Sequence, residues 1–317
     1  GVTDVQQTTF ADWAFNQMNI NDYGYIDTPL QRFTNQDTSR SELISLWKRS
    51  TLKGQLKIEN LLRNYIDYLW GSIKIPEEGI SIYSKIDENI SISFEFEILN
   101  DYFTKSKEND KTPINRLRQI FKLNLRTALR NQFDKKIKEL IDSFENAAKD
   151  EAFKALNSEN EEEVLSRIKI AKNIRNQAEK YKKYENIPSQ KNKILLDLNN
   201  QLNKKIDGIW GVTNAVDAYY QLMRNKPLLL ILNKGYFSLD EIETLINSDF
   251  DGYHIELEDL PAIFIFHQLL NGNTNLKYDH IIIDEVQDCS PLMLKIIKNF
   301  SKRNSMTLVG DLSQPIH

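Results

Sequence analysis

Asp284 and Glu285 stand side by side directly after three β-branched apolar residues, Ile281, Ile282 and Ile283. An apolar run without alternation reads as a strand buried on both faces, the habit of strands in a parallel α/β sheet. Open sheets of that kind bind ligands just beyond the carboxyl ends of their strands. Two carboxylates delivered there can divide the work of hydrolysis. The first can hold Mg2+ through a phosphate-bound shell, and the second can orient and deprotonate a water. The plainer alternative is a solvated turn after a core strand, where Asp and Glu are common.

The residues that follow argue for an organised site. Ser290 and Pro291 can cap and start a helix, and residues 292–300 carry apolar side chains at helical spacing. After a polar connection at 302–305, residues 306–309 form a second short apolar run ending at Gly310-Asp311. A strand, a helix and a strand make a right-handed crossover that joins parallel strands, so both acidic strand ends open on one edge of the sheet. Gln314 follows on a short loop within reach of the same edge.

The segments Asp284-Glu285-Val286-Gln287-Asp288 and 310–317, with a helix between, resemble motifs II and III of superfamily-one helicases of the UvrD/Rep type. The resemblance implies ATP and Mg2+ as cofactors, with Asp284 on the metal, Glu285 polarising the attacking water and Gln314 sensing the γ-phosphate. Gln287 and Asp288 complete motif II and link it to its neighbours. Residues 255–260 and the apolar stretch 261–270 resemble the segment that precedes motif II. Residues 5–13 resemble motif Ib, a strand and then a helix that contacts nucleic-acid backbone, which implies roles for Thr9 and Phe10. Family members often carry His after that Thr-Phe pair, where this chain has Ala11. His317 sits where many relatives have an aromatic that stacks on a base. Thr8-Thr9-Phe10, Lys53-Gly54-Gln55 and the ending 310–317 are similar to the HelD group, helicase-IV-like ATPases that act on bacterial RNA polymerase. Single-stranded DNA, RNA polymerase or both are therefore the implied partners.

A phosphate cradle of the form G-x-x-x-x-G-K-[ST] is not found in the 317 residues. In this family that loop lies upstream of motif Ib, and the arginine-bearing motifs lie downstream of motif III. The chain is thus expected to be a piece of a larger protein, inactive as an ATPase by itself, with the rest of its parent chain as a partner.

The formal net charge of -4 gives no overall basic field for holding nucleic acid by counterion release. Cys289 is the only cysteine, which excludes an internal disulfide, suits a reducing cytoplasm and reads as a packing residue. No apolar run is long enough to span a membrane, and no signal peptide is visible. His254, His267 and His280 lack ligand-like spacing, so no metal is assigned to them.

The middle of the chain changes texture. Residues 39–52 and 55–70 have helical periodicity. Residues 80–86 and 90–96 alternate as two short strands turning at 87–89. Lys/Glu-rich stretches at 98–107, 114–155, 161–185 and 191–209 read as amphipathic helices, paired as an antiparallel arm, with breaks at 157–158 and 187–189. Arg116, Arg118, Lys122, Arg126, Arg130, Lys135, Lys136 and Lys138 form a basic stretch. It is either a phosphate-tracking face or a solvated face paired with Glu139, Asp142 and Glu145. Phe121, Phe133, Phe144 and Tyr181 suit a partner-binding arm or an ordinary helical core, and Trp210 with Tyr219 and Tyr220 reads as packing where the arm rejoins the core.

The expected fold is α/β: a partial RecA-like parallel sheet of the P-loop NTPase type, interrupted by a large, mainly helical insertion with a small β-hairpin. Residues 1–37 and 213–317 supply the motor domain, which the strand at 5–8 leaves, and 38–212 the insertion. Three functions remain open: a nucleic-acid translocase, a polymerase-remodelling ATPase, and a non-catalytic interaction module with a degenerate nucleotide site. The intact Asp284-Glu285 pair speaks against the last, since adjacent carboxylates without that chemistry only repel.

Overall fold

The computed structural model describes residues 5–20, 22–26, 40–107, 112–211, 214–246 and 252–311. Along the chain run α1 (Phe10–Met18), β1 (Gly24–Ile26), α2 (Arg40–Lys53), α3 (Lys57–Ser72), β2 (Ile80–Tyr83), β3 (Ser91–Phe94) and α4 (Phe96–Ser106). Then follow α5 (Ile114–Leu156), α6 (Glu161–Asn186), α7 (Pro188–Trp210), α8 (Ala215–Arg224), α9 (Lys226–Asn233), α10 (Leu239–Ile246) and β4 (His254–Glu256). The last elements are α11 (Leu260–Asn271), β5 (Ile281–Ile283), α12 (Pro291–Asn299) and β6 (Met306–Leu308). Two compact units divide the chain, one of Gly1–Ser72, Thr112–Arg116 and Val212–His317, the other of Ile73–Lys111 and Leu117–Gly211.

The first unit is organised around α11. Its sequence, LPAIFIFHQLLN, is apolar nearly all round, and a helix of that kind is stable only when enclosed. Pro261 sits in its first turn, where a missing N–H leaves nothing unsatisfied. Ala262, Ile263, Phe264 and Phe266 are buried against α1, α3, α8 and α12. Trp13 stacks on Phe264 at 5.2 Å and meets the edge of Phe300 at 4.7 Å, while Tyr65 stacks on Phe266 at 5.5 Å. Parallel pairing occurs twice, β1 with β4 and β5 with β6.

The expected strand at 281–283 is present, but it is not buried on both faces. Ile283 is 8% exposed and Ile282 is 69% exposed. Side chains alternate across a strand, so Ile283 and Ile282 lie on opposite faces, and Leu308, which pairs with Ile283, is itself 54% exposed. The β-branched run therefore reported strand propensity correctly and burial only in part. Parallel pairing among the described residues amounts to two small sheets and an isolated bridge between Tyr278 and Ser301, so the fold here is mainly helical α/β with less sheet than expected. Residues 5–9 are exposed and, among the described residues, lie in no strand, which corrects the strand expected there.

In the second unit β2 and β3 form the antiparallel hairpin, Ile80 opposite Phe94. Both strands are shorter than expected. After Tyr83, Ser84 Oγ accepts the amides of Ile86 and Asp87 and pulls the chain into its turn, and α4 begins at Phe96. Gly79 lies at φ +73 with its Cα against the carbonyl of Phe94, a place only glycine fits.

The 43 residues of α5 make a rod about 65 Å long. Its buried residues Leu117, Phe121, Leu125, Leu129, Phe133, Ile137 and Ile141 recur every four positions. Each step of four turns the stripe about 40° further round the axis. Ion pairs fix what lies along it: Glu151 with Arg167, Glu145 with Lys182, Asp134 with Lys191, and Asp207 with Arg118 and Lys122. Rising numbers on α5 meet falling numbers on α6 and α7, so those two helices in succession form one antiparallel return. The break between them falls at Ile187, and Pro188 opens α7 directly instead of sitting in a longer turn, because the first helical position tolerates proline.

The basic stretch on α5 is thus in part a paired face. Arg118 and Lys122 hold Asp207, Arg126 bonds Asn203, and Lys135 lies 3.8 Å from Glu139, whereas Glu145 takes Lys182. Phe121, Phe133 and Tyr181 are fully buried, which makes them core. Trp210 packs on Phe121 and Phe103 in this unit. Tyr219 and Tyr220 belong to the other unit, where their hydroxyls bond Asp259. No helix among the described residues is long and apolar enough to cross a membrane.

Candidate active site

The pairing of β5 with β6 puts Ile283 opposite Leu308, and the ladder continues beyond both strands. Val309 N donates to Ile283 O at 2.8 Å, and Val286 N donates to Val309 O at 3.0 Å. Those two bonds lash the turn at 284–288 to the segment leaving β6. Asp284 Oδ1 accepts the Glu285 amide at 3.0 Å, and both carboxylates are exposed at the strand end.

Glu285 itself lies in the left-handed region, φ 50 and ψ 47. A non-glycine residue there is strained by roughly 1–2 kcal/mol. The strain turns the chain into a short 3-10 turn, Val286–Asp288, closed by Asp288 N to Glu285 O and Cys289 N to Val286 O. Gln287 Nε2 donates to Glu285 Oε2, so the amide steadies the carboxylate. The other end of that amide, Gln287 Oε1, is buried without a hydrogen-bond partner. A Cβ on Gly310 would lie 2.6 Å from Gln287 Oε1 and 2.8 Å from Val286 Cγ1. The glycine after β6 is what lets the two segments touch.

This geometry suits a magnesium-nucleotide site of one particular kind. Among the described residues no group of three or more His, Cys, Asp or Glu side chains converges as a metal cage. Mg2+ needs none: it is commonly held by one or two carboxylates, with phosphates and waters completing the shell. An exposed Asp284 at the end of β5 fits that donor set. Cys289 is no competing nucleophile, because burial first and Asp288 second push its thiol pKa up.

The other expected site residues fall elsewhere. Thr9 caps α1, accepting the Asp12 amide at 3.1 Å and donating to Asp12 Oδ2 at 2.8 Å. Phe10 is half-exposed, 5.8 Å from Trp13. Trp13 Nε1 donates to the hydroxyl of Tyr278, which precedes β5, so α1 attaches near the end of that strand away from Asp284. Thr9 and Phe10 are not brought together with the acidic pair. Gln314 and His317 lie outside the described residues.

A second constellation escaped the sequence reading. Lys53, fully buried at the end of α2, donates from Nζ to Glu256 at 3.0 Å, Glu258 at 3.0 Å and Asp259 at 2.8 Å. Arg49, one helical turn earlier, bonds Glu256 and Glu258. Asp259 also accepts from Tyr219 at 2.5 Å and Tyr220 at 3.1 Å. Burial opposes the charge on Lys53, but the three carboxylates around it outweigh that and raise its pKa. Burial is the main force pushing the Glu258 pKa up, with Asp259 and Glu256 adding to it, and Glu258 Oε2 is buried without a partner. Glu256 is held below the usual carboxylate range because Lys53 and Arg49 outweigh its burial. Two cations at i and i+4, matched by three acids at and just after the end of a strand, were the signals available.

The family model for the UvrD/REP helicase N-terminal domain matches residues 48–317. No curated protein matches the chain.

Proposed function

The chain belongs to the UvrD/REP helicase family, and from that premise we propose that the β5–β6 edge is the metal-binding and water-activating half of an ATPase site in a superfamily-one motor. The observation that carries the reading is the pair of main-chain bonds joining Val286, Val309 and Ile283, which hold the acidic turn against the segment leading to Gln314. Asp284 holds the magnesium of the bound nucleotide. Glu285 takes a proton from the attacking water, and Gln287 keeps that carboxylate in place. Gln314 senses the terminal phosphate. Magnesium, when bound, neutralises charge on the phosphates. The phosphate cradle belongs to a loop not found in these residues, so turnover is expected only where such a loop completes the site. The small parallel pairs are read as parts of a RecA-like sheet.

Within the family, a HelD-like role on RNA polymerase is favoured over simple translocation on single-stranded DNA. The second unit supports this preference. Its long antiparallel arm leaves Phe153, Leu156, Leu165 and Ile168 exposed at the turn between α5 and α6, a surface suited to wedging against a protein. A cytoplasmic location accompanies either role.

Glu285→Gln, in the protein completed by its phosphate-binding loop, should leave ATP binding intact and lower turnover about a hundredfold or more, as loss of a general base does. Near-normal turnover would remove Glu285 from that role. Capture of RNA polymerase, set against unwinding of a tailed duplex, separates the two roles: robust unwinding without capture would remove the HelD assignment.

A further inference from the structure

The turn between α2 and α3 touches the start of α12 closely. Gly54 O accepts the amide of Leu292 at 3.0 Å. A Cβ on Gly54 would lie 2.6 Å from Ser290 Cβ and 3.2 Å from Ser290 Oγ. Ser290 is the N-cap of α12, accepting the Met293 amide at 3.2 Å, and it stands two residues after Asp288. Gly54 is not in the left-handed region, so its bare Cα answers to this approach alone. A second tie runs parallel to it: Lys295 Nζ bonds Glu59 Oε2, and Arg63 bonds the other oxygen of the same carboxylate. The residue before Gly54 is Lys53, held by Glu256, Glu258 and Asp259.

We propose that Lys53 and Gly54 are positioning residues for the Asp284–Glu285 pair: the acid-bound lysine fixes the α2–α3 turn, and the turn fixes Ser290 and Leu292, hence the exit of the 285–288 turn into α12. The proposal rests on the ATPase reading for its consequence in turnover, and on geometry alone for the coupling. Neither residue touches nucleotide. They act through a rigid path of packed backbone, where a displacement of a few tenths of an ångström at Ser290 passes to a turn already strained at Glu285. Small misplacements of reacting groups are enough to lower rates by one or two orders of magnitude.

Lys53→Met leaves three buried acids facing Arg49, and its failure to fold would be ambiguous. The deciding variants are Gly54→Ala, Ser290→Gly and the two combined. Glycine is an adequate N-cap, and it removes the Cβ that an alanine at 54 would strike. Hydrogen exchange is measured on this 317-residue chain at the amides of Val286, Cys289 and Leu292. Turnover and KM for Mg-ATP are measured per folded molecule in the protein completed by its phosphate-binding loop.

Gly54→Ala should speed exchange at Leu292 and Cys289 about tenfold and lower kcat about tenfold, with KM changed less than about twofold. The double variant should return both readouts to the level of Ser290→Gly alone. General destabilisation predicts the opposite, since the second substitution weakens a cap. A double variant no better than Gly54→Ala, or a Gly54→Ala protein with unaltered exchange at Cys289 and unaltered kcat, would overturn the proposal. A completed protein that hydrolyses no nucleotide would sink the ATPase reading, and exchange alone would then decide the coupling.

Discussion

Replacing Lys53 with Met tests how the buried charges of the first unit are balanced. Two cations, Arg49 and Lys53, face three acids, Glu256, Glu258 and Asp259. With all five ionised the cluster carries one excess negative charge. Of the three acids, Glu258 has its pKa raised, by burial first, and its Oε2 is buried without a partner. A proton on Glu258 leaves the cluster neutral. Removing Lys53 deletes the one cation that all three acids share, at a site with 0% side-chain exposure. Breaking a buried ion pair on one side destabilises by on the order of 3–5 kcal/mol. At about 2–4 °C per kcal/mol for a unit of this size, the melting temperature should fall by roughly 6–20 °C.

Glu258→Gln is the counter-perturbation, since it keeps the shape and removes only the acid already disposed to be neutral. It should cost less than Lys53→Met, because Arg49 keeps Glu256 and Lys53 keeps Glu256 and Asp259 as partners. The pH dependence follows from the direction of the shift. The folded chain keeps a proton on Glu258 at pH values where the unfolded chain has lost it. That stabilisation is full below the ordinary carboxylate pKa and is lost as pH rises through the elevated one. Glu256 contributes with opposite sign: its stabilisation is present above the ordinary carboxylate pKa and is lost as pH falls through the depressed one. Differential scanning calorimetry of the three proteins across pH 4 to 9 reads both arms. A Lys53→Met loss below about 1 kcal/mol, or a Glu258→Gln protein as damaged as Lys53→Met, would refute this charge count.

Asp284→Ala should weaken magnesium-nucleotide binding itself, and in the completed protein a nucleotide titration unaffected by metal in both parent and variant would count against the metal role. Gly79→Ala should destabilise the second unit by several kcal/mol, because it combines a left-handed φ of +73 with a Cβ placed 2.3 Å from the Phe94 carbonyl. Urea unfolding would expose the error if the loss were under about 1 kcal/mol. Cys289 should react with alkylating reagents much more slowly than free cysteine at pH 8, given its half-buried thiol and raised pKa.

The acidic turn was legible because its chemistry is local: an apolar run, two carboxylates, a serine-proline helix start and a second short strand appear in order, and the structure pairs the two strands in parallel. Helix spans on the long arm were legible for the same reason, since a repeat of three to four apolar positions needs no distant partner to be recognised. The exposure of Ile282 was not legible, because a β-branched residue has the same strand propensity whether or not its face is covered. Lys53 was opaque for a related reason. Its partners Glu256, Glu258 and Asp259 lie more than two hundred residues away, and no local rule separates a fully buried lysine from a solvated one. Residues 40–72, read from their texture as part of the insertion, group with the first unit, where Arg49 and Lys53 reach those acids. Gly54 and Gly310 look like loop glycines in the sequence, and only three-dimensional proximity explains why a methyl is excluded there.

The arm is not equally cohesive along its length. Beside the first half of α5, helix α7 buries Ile194, Leu195, Leu198, Leu202, Ile206 and Trp210. Beside the second half, α6 buries only Ala178 and Tyr181, and beyond these it is tied by ion pairs such as Glu151 with Arg167. Water and salt compete well with charges at a surface and poorly with apolar contacts. The far end is therefore a soft tip on a firm stem: raised ionic strength should loosen it while the base stays intact, leaving the reach of the arm to be tuned by its surroundings.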